Sequence, residues 1–404
     1  MKIAIVCFNL SWQAGGVRLI FSEAHTLKRL GHSVIIYTPD FDPTVYPDLQ
    51  SGLNIRVVSL SDKLRWQYRS ESLSRRILEK FAHLRALRKT ARGIADAMDS
   101  DLEIVNLHDF AYQAAPFYRN KNPRAKIIWT MNDPPYQYLP KASFIYDVLS
   151  RIFNFWRDIS ERHYFKFIDK VAVLVSKNKI WAEERRMEAV IIWSGLEFKK
   201  FYASPKSISD KGKKDVVLLS IGTLNRYRRF EDTIGAIKFL RDWGYDARAK
   251  IICKDIWNEK EYRRELHGFV RRTSVADRVE LLFDGVSENE LAQVYATSDF
   301  FILPIHLPPP RSGFGWQLVI FEAMAAGLPS IVCRTNDVTE ALKDGETALF
   351  VEPMSPQQIA EIVRRLIDRP EEYLRIAKSG QEFVRQNMSW EKYAERFLRL
   401  VEAE

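Results

Sequence analysis

Residues 313–327 read GFGWQLVIFEAMAAG, a loop built on two glycines that runs straight into an apolar helical pattern carrying one carboxylate, Glu322. Glycine lets a backbone come close to a ligand, and the free N–H groups at a helix start favour negative charge, so the junction is suited to a phosphate. Gly327 and Pro329 end the helix. A carboxylate on such a helix can accept both hydroxyls of a ribose while a diphosphate lies at the helix N-terminus. A Glu that only caps or pairs locally is the plainer alternative.

Working outward, short β-branched runs alternate with helical patterns: KIAIVCF, SVIIYT, NIRVVSL, EIVNLH, AKIIWTMND, KVAVLVS and EAVIIWS. Such alternation implies parallel βαβ units and a doubly wound sheet. After the polar, Lys-rich stretch YASPKSISDKGKK at 202–214 the pattern restarts with DVVLLSIGTL, AKIICK, RVELLFDG, DFFILPI and LPSIVCR. The fold class is therefore α/β, with two similar domains in tandem. An N-terminal Rossmann-like domain is expected over 1–200, a linker over 201–214, a second Rossmann-like domain over 215–380 and a C-terminal helix within 381–404. That helix places Trp390, Tyr393, Phe397 and Leu400 on one face and is expected to pack back toward the N-terminal domain. Ligands of such sheets bind outside the carboxyl ends of the strands, so the substrate is expected in a cleft between the two facing domains.

Composition narrows the class. The chain has 404 residues, 46% hydrophobic and 28% charged, as befits a globular protein of two or three domains. Cys7, Cys253 and Cys333 lie far apart, each in a strand-like run, which suggests neither a disulfide framework nor a metal cluster. The opening MKIAIVCFNL loses its apolar character by Asn9 and reads as a first strand rather than a signal peptide. No stretch approaches the roughly 18 apolar residues of a membrane span. A cytoplasmic setting is expected, with the inner face of the membrane as a peripheral site.

The net charge of +9 is concentrated between Lys63 and Arg92, where ten Lys and Arg face two Glu. Leu73, Ile77, Phe81, Leu84, Leu87, Ala91 and Ile94 recur there at helical spacing. An ordinary solvated helix and a docking face for anionic lipid headgroups both fit this pattern. Nucleic acid is not expected, because no recognition fingerprint accompanies the charge. The aromatic segment PPYQYLPKASFIYDVLSRIFNFW at 134–156 suits either a core helix or a membrane-proximal, sugar-stacking surface.

Two further glycine turns carry chemistry. Gly15-Gly16 follows the first strand and precedes an apolar helix, a weak signal alone because many such pairs are merely tight turns. Gly222 ends the strand DVVLLSI and opens a loop with Arg226, Arg228 and Arg229. Guanidiniums suit bidentate phosphate contacts, and three at one strand end are hard to explain as packing. The sequences Asp40-Phe41-Asp42 and Asp99-Ser100-Asp101 have the DxD form of some metal sites, yet the motif is short enough to arise by chance, and no metal is expected.

The run GFGWQLVIFEAMAAGLPSIV resembles the donor-site signature of family 4 of the retaining glycosyltransferases, the glycosyl transferases group 1, which have the GT-B fold of two Rossmann-like domains facing across a cleft. The likeness continues through the Gly15-Gly16 loop, Ser176, Ser194-Gly195-Leu196-Glu197, the Gly222 to Arg229 loop, FDGVSENELAQVYATSDFFILP, Glu340 and SWEKYAERF. The resemblance implies a retaining, metal-independent hexosyltransferase. It would move a sugar from a nucleoside diphosphate (UDP, GDP or dTDP) to a hydroxyl of a glycan or lipid-linked acceptor, in bacterial-type cell-surface polysaccharide or glycoconjugate synthesis. It also implies that Arg228 takes the place of a diphosphate-binding Lys and that Glu322 holds ribose. It further implies that Asn132 lies near the sugar and that Gly15, Gly16, Gly222, Thr223, Arg229, Gly313, Phe314, Gly315, Trp316 and Gln317 surround the donor.

The chain departs from the family pattern twice. Counting back eight places from Glu322 gives Phe314 where the family has the first Glu of a Glu-x7-Glu pair, and the register that instead adds two residues gives Ser312. Asn132 stands where many relatives have His, and it cannot carry a proton. Two alternatives follow: a catalytically silent nucleotide-sugar-binding subunit of a glycan-synthesis complex, and a nucleotide-sugar epimerase on the same fold.

Overall fold

The computed structural model describes residues 1–12, 15–60, 73–136, 144–208, 215–256, 258–306 and 316–402. The chain forms two compact units, one of Met1–Gly195 with Trp390–Glu404 and one of Leu196–Ser389.

The first unit is built on a seven-stranded sheet. Its strands are β1 (Lys2–Val6), β2 (Ser33–Thr38), β3 (Asn54–Val57), β4 (Ile104–His108), β5 (Lys126–Met131), β6 (Lys170–Val173) and β7 (Ala189–Ile191). The helices between them are α1 (Gly15–Arg29), α2 (Pro47–Gln50), α3 (Leu73–Ala97), α4 (Ala115–Lys121), α5 (Phe144–Phe165) and α6 (Ser176–Glu183). The strand order is β3-β2-β1-β4-β5-β6-β7, and every pairing is parallel. Parallel strands are covered on both faces, which is why they read as continuous apolar runs rather than alternating ones. All five residues of β4 are buried. From β1 the chain goes to β2 on one side and later to β4 on the other, so the crevice where strand order reverses lies between β1 and β4.

The second unit repeats the plan with β8 (Val216–Thr223), β9 (Ala247–Lys254), β10 (Val279–Leu282), β11 (Phe300–Leu303), β12 (Ser330–Cys333) and β13 (Leu349–Val351). Its helices are α7 (Phe198–Phe201), α8 (Phe230–Asp242), α9 (Lys260–Arg272), α10 (Glu288–Thr297), α11 (Leu318–Ala325), α12 (Pro356–Asp368) and α13 (Pro370–Asn387). The order β10-β9-β8-β11-β12-β13 reverses between β8 and β11. Helix α11 stops where Gly327 adopts φ +74, and Leu328 N–H returns to the Ala323 carbonyl at 3.0 Å, a left-handed C-terminal cap.

Helix α14 (Trp390–Glu402) belongs to the first unit. Its buried Trp390, Tyr393, Ala394, Phe397, Leu400 and Val401 join a core cluster with Leu19, Ile20 and Leu27 of α1. The Trp390 ring lies directly on Gly195: a Cβ there would stand 2.4 Å from Trp390 Cδ2. Glycine is required at 195 by this contact alone. The passages between units fall at Gly195–Leu196 and Ser389–Trp390, and residues 209–214 of the stretch read as a linker lie outside the described residues.

Candidate active site

In the second unit the reversal point is lined by the end of β8. Arg228 folds back over Gly222, so that a Cβ at 222 would meet its Nε at 3.2 Å and its Cζ at 3.3 Å. Its guanidinium also sits 5.4 Å from the Tyr227 ring centroid. Arg228 Nε and Nη1 are shielded from solvent, and neither has a hydrogen-bond partner among the described residues. A buried donor left unpaired costs about 1–3 kcal/mol, a cost that an anionic ligand at this position would offset.

The three arginines of this loop thus separate. Arg226 turns outward to Glu265, with Nη2 to Oε1 at 2.6 Å. Arg229, itself at φ +55, pairs with Asp232 at 2.7 Å and Glu231 at 2.7 Å and so braces the first turn of α8. Arg228 keeps its N–H groups at the end of the strand. Thr223 closes β8, in register with Lys254 of β9.

From the neighbouring strand, His306 N–H donates to the Tyr227 carbonyl at 3.0 Å, and its Nδ1 lies 3.3 Å from Thr335 Oγ1. Burial, and then the Arg229 cation, hold the His306 ring below its ordinary pKa, so at neutral pH it adds no positive charge beside the arginines.

Glu322 lies on α11 and is buried at 2% exposure. Tyr295 of α10 donates to its Oε2 at 2.9 Å, so part of this carboxylate's hydrogen-bonding capacity is used inside the unit. Trp316 is buried and stacks on Phe321 with centroids 4.6 Å apart, which gives it a packing role. Gln317 is buried at the N-cap of α11. Gly313, Phe314 and Gly315 lie outside the described residues.

In the first unit Gly15 and Gly16 are the first two residues of α1. Neither has a positive φ, and a Cβ at either would meet nothing within 4 Å. The fold makes no demand for glycine here, although glycine in a helix costs about 0.5–1 kcal/mol against alanine. The first turn of α1 also carries no acidic residue, so its free N–H groups face no carboxylate from their own helix.

Across the reversal point, Asn132 follows β5. Its backbone N–H donates to Asp109 Oδ1 at 3.3 Å, and its side-chain nitrogen donates to the two Asp109 oxygens at 3.2 and 3.3 Å. The Asn132 carbonyl accepts from Asn178 at 2.8 Å. Asp109 follows β4 in the left-handed region at φ +49, a strained conformation for a residue with a side chain. Burial raises its carboxyl above the ordinary range, against the His108 charge and the Asn132 bonds that lower it. Burial also pushes the nearby Cys7 thiol up to about 12, with a further upward push from Asp109.

Below this, Glu23 of α1 accepts from Asn106 at 2.7 Å and lies 3.0 Å from His108 Nε2, all fully buried. Asp109 and His306 were missed in the sequence. The available signal was their position just past β4 and β11, the two strands at the reversal points.

The DxD sequences serve the scaffold. Asp40 accepts from Asn9 at 2.8 Å and Ser11 at 2.9 Å, and Asp99 pairs with Lys2 at 2.9 Å and Arg56 at 2.6 Å.

Comparison with known proteins adds the family. Residues 204–383 match the family described as Glycosyl transferases group 1. The second unit thus carries a group 1 glycosyltransferase domain. Mannosylfructose-phosphate synthase of Agrobacterium fabrum is 24% identical to the chain over 411 residues, which cover 96% of this chain and 86% of that protein. Spore coat protein SA of Bacillus subtilis is 21% identical over 326 residues, covering 74% and 84%. Among solved structures, HepE of Anabaena in complex with UDP-glucose superposes with a TM-score of 0.71 at 15% identity, with all of both chains covered. Sucrose-phosphate synthase of Thermosynechococcus elongatus gives 0.71 at 18%, covering 99% of this chain and 98% of that one. The fold of the chain is accordingly GT-B.

Proposed function

We propose that this glycosyltransferase transfers a hexose from a nucleoside diphosphate to a hydroxyl of a glycan or lipid-linked acceptor, with retention of configuration and without a metal ion. The observation that carries the reading is Arg228, whose shielded Nε and Nη1 have no hydrogen-bond partner among the described residues and lie over Gly222 at the reversal point of the second sheet. Charge develops on the leaving diphosphate during transfer, and a preorganised cation there stabilises the transition state more than the ground state. Gly222 leaves the room that the guanidinium occupies. Gly15 and Gly16 are assigned to the donor phosphates through the N–H groups of α1, and Glu322 to the ribose hydroxyls. Asn132, held by Asp109, is assigned to the sugar. No protein nucleophile is proposed. The leaving phosphate oxygen takes the acceptor proton on the same face of the sugar, which yields retention. UDP is the first nucleotide to test, since HepE binds UDP-glucose.

The test is thermal-shift binding and donor consumption against UDP-, GDP-, dTDP- and ADP-sugars, with Arg228→Ala and Glu322→Ala beside the natural chain. One donor is expected to raise the melting temperature and to be slowly hydrolysed, with chelator without effect and both substitutions abolishing turnover. With an acceptor, proton NMR of the product should show the donor's anomeric configuration. Nucleotide binding without consumption across many acceptors would replace this reading with a silent binding subunit.

A further inference from the structure

Helix α5 turns a stripe of large apolar side chains to solvent. Val148, Leu149, Ile152, Phe155, Trp156 and Ile159 are all exposed, Phe155 to 62% and Trp156 to 65%. Their spacing of three and four places them on one face of the helix. The opposite face is used by the first unit's core: Tyr164 and Phe165 join a buried cluster with Trp129 and Tyr112. The stripe is therefore not the core-facing side of the helix.

Solitary exposed apolar residues need no explanation, but a contiguous row of six does.

The neighbouring helix extends this surface. Phe81 of α3, 58% exposed, meets Phe153 of α5 edge to face at 5.6 Å. Lys80 Nζ stands 4.9 Å from the same ring, and the Arg88 guanidinium lies 5.7 Å from Tyr164.

Charge identifies the occupant. Between Val148 and Phe165 the exposed charged residues, Arg151 and Arg162, are both positive, and Lys166 follows. Asp158 of the same helix is shared between Arg185 at 2.6 Å and Arg162 at 2.9 Å, and the buried Glu161 turns to Gln113 at 3.2 Å, so the helix surface keeps a positive excess in Arg151 and Lys166. On α3 the exposed Arg85, Arg88, Lys89 and Arg92 continue the positive rim, with Arg92 facing the exposed Asp96 at 3.9 Å.

We propose that the α3–α5 face is a docking surface for a bilayer rich in anionic lipid, with the α5 stripe inserted at the headgroup boundary. From Val148 to Ile159 the stripe is about 17 Å long at 1.5 Å per residue, shorter than the roughly 30 Å of a bilayer core. No helix among the described residues is long and apolar enough to cross a membrane. The helix accordingly lies in the interface plane, with Trp156 and Phe155 at headgroup depth and the arginines and lysines on lipid phosphates. A second copy of the chain is a poorer occupant. A two-fold interface sets the same patch against itself, and the positive rims would then repel. The inference holds whichever donor the enzyme uses, and it joins α5 to the part of the basic stretch 63–92 that lies on α3, residues 61–72 lying outside the described residues.

The test is flotation of the full chain with vesicles of phosphatidylcholine alone and of phosphatidylcholine mixed with phosphatidylglycerol, at low and high salt. Binding is expected only to the mixed vesicles and to weaken with salt. Two variants separate the contributions. Each reversed charge of Arg85→Glu, Arg151→Glu and Lys166→Glu should lower partitioning by at least about fivefold, and the three together by about a hundredfold. Phe155→Ser with Trp156→Ser should abolish binding at either salt. Both variants replace exposed residues, and an unchanged melting temperature confirms that each folds. Equal binding to neutral vesicles, binding unchanged in either variant, or a concentration-dependent dimer lost in the Phe155→Ser, Trp156→Ser variant would each overturn the proposal.

Discussion

Replacing Gly15 and Gly16 with alanine separates the demands of the fold from those of the ligand. Both residues are helical in α1, without positive φ, and a methyl group at either meets nothing within 4 Å. Alanine should therefore stabilise the first unit, since it loses less backbone entropy on folding and suits the helix better. At the first turn the gain is about 0.5 kcal/mol per site, about 1 kcal/mol for both. For a unit of this size that corresponds to a rise of about 2–4 °C in melting temperature. Donor binding should move the other way. Under the proposed function the diphosphate lies at these N–H groups, a methyl on each residue obstructs its approach, and losing even one such contact weakens binding about tenfold, or 1.4 kcal/mol. Differential scanning fluorimetry gives the first quantity and calorimetric titration with the donor gives the second. A fall in melting temperature would show that the glycines serve the fold. Unchanged donor affinity would show that no phosphate comes near them.

Arg228→Ala should leave the melting temperature unchanged or slightly raised, because it removes unpaired buried donors, while kcat falls about 10²- to 10³-fold; Arg228→Lys should recover part of that loss in steady-state assays. Asp109→Ala should cost about 1–2 kcal/mol in a chemical denaturation series, from strain at φ +49 and the lost bonds to Asn132, whereas Asp109→Asn tolerates that backbone and should cost less. Because the folded-state pKa of Asp109 is raised, its linked stability is full at pH below the unfolded value and is lost as pH rises through the folded one; Asp109→Asn should remove that part of the pH dependence in the acidic range. Gly195→Ala should cost about 1–3 kcal/mol by pushing the Trp390 ring off its seat, with increased amide exchange in α14 as the companion readout.

The strands were legible because a parallel strand buried on both faces leaves an unbroken apolar run, as IVNLH and FFIL do. The chain order of those runs then placed Gly222 and the Arg226–Arg229 loop at a strand end. The sorting of the three arginines was not legible. It depends on Glu265 of α9, Glu231 and Asp232 of α8, and the packing of Arg228 on Gly222, none of which local spacing reveals. Periodicity likewise located a stripe on α5 without saying which face the core would take. Phe153 meets Phe81, while Phe155 and Trp156, two and three residues on, face water. The burial of Glu322 under Tyr295 depends on α10, which lies 27 residues away in sequence.

The departures from local preference also have an order to them. Gly15 and Gly16 occupy a helix that would accept alanine, Asp109 adopts a backbone conformation suited to glycine, and Arg228 buries donors without acceptors. Each is unfavourable on its own, by amounts of about 0.5–3 kcal/mol. While other left-handed residues such as Tyr46, Arg186 and Met354 lie elsewhere, these three follow β1, β4 and β8, strands beside the two reversal points. A sequence shaped for stability alone would remove them, because each has a simple replacement: alanine in α1, glycine at 109, an apolar residue at 228. At positions where open α/β sheets bind ligands, these local costs are ones that the proposed donor site would account for. The same reasoning applies to α5, where serine or lysine would serve a solvated helix better than Phe155 and Trp156, and where the cost is recovered only if the stripe is covered.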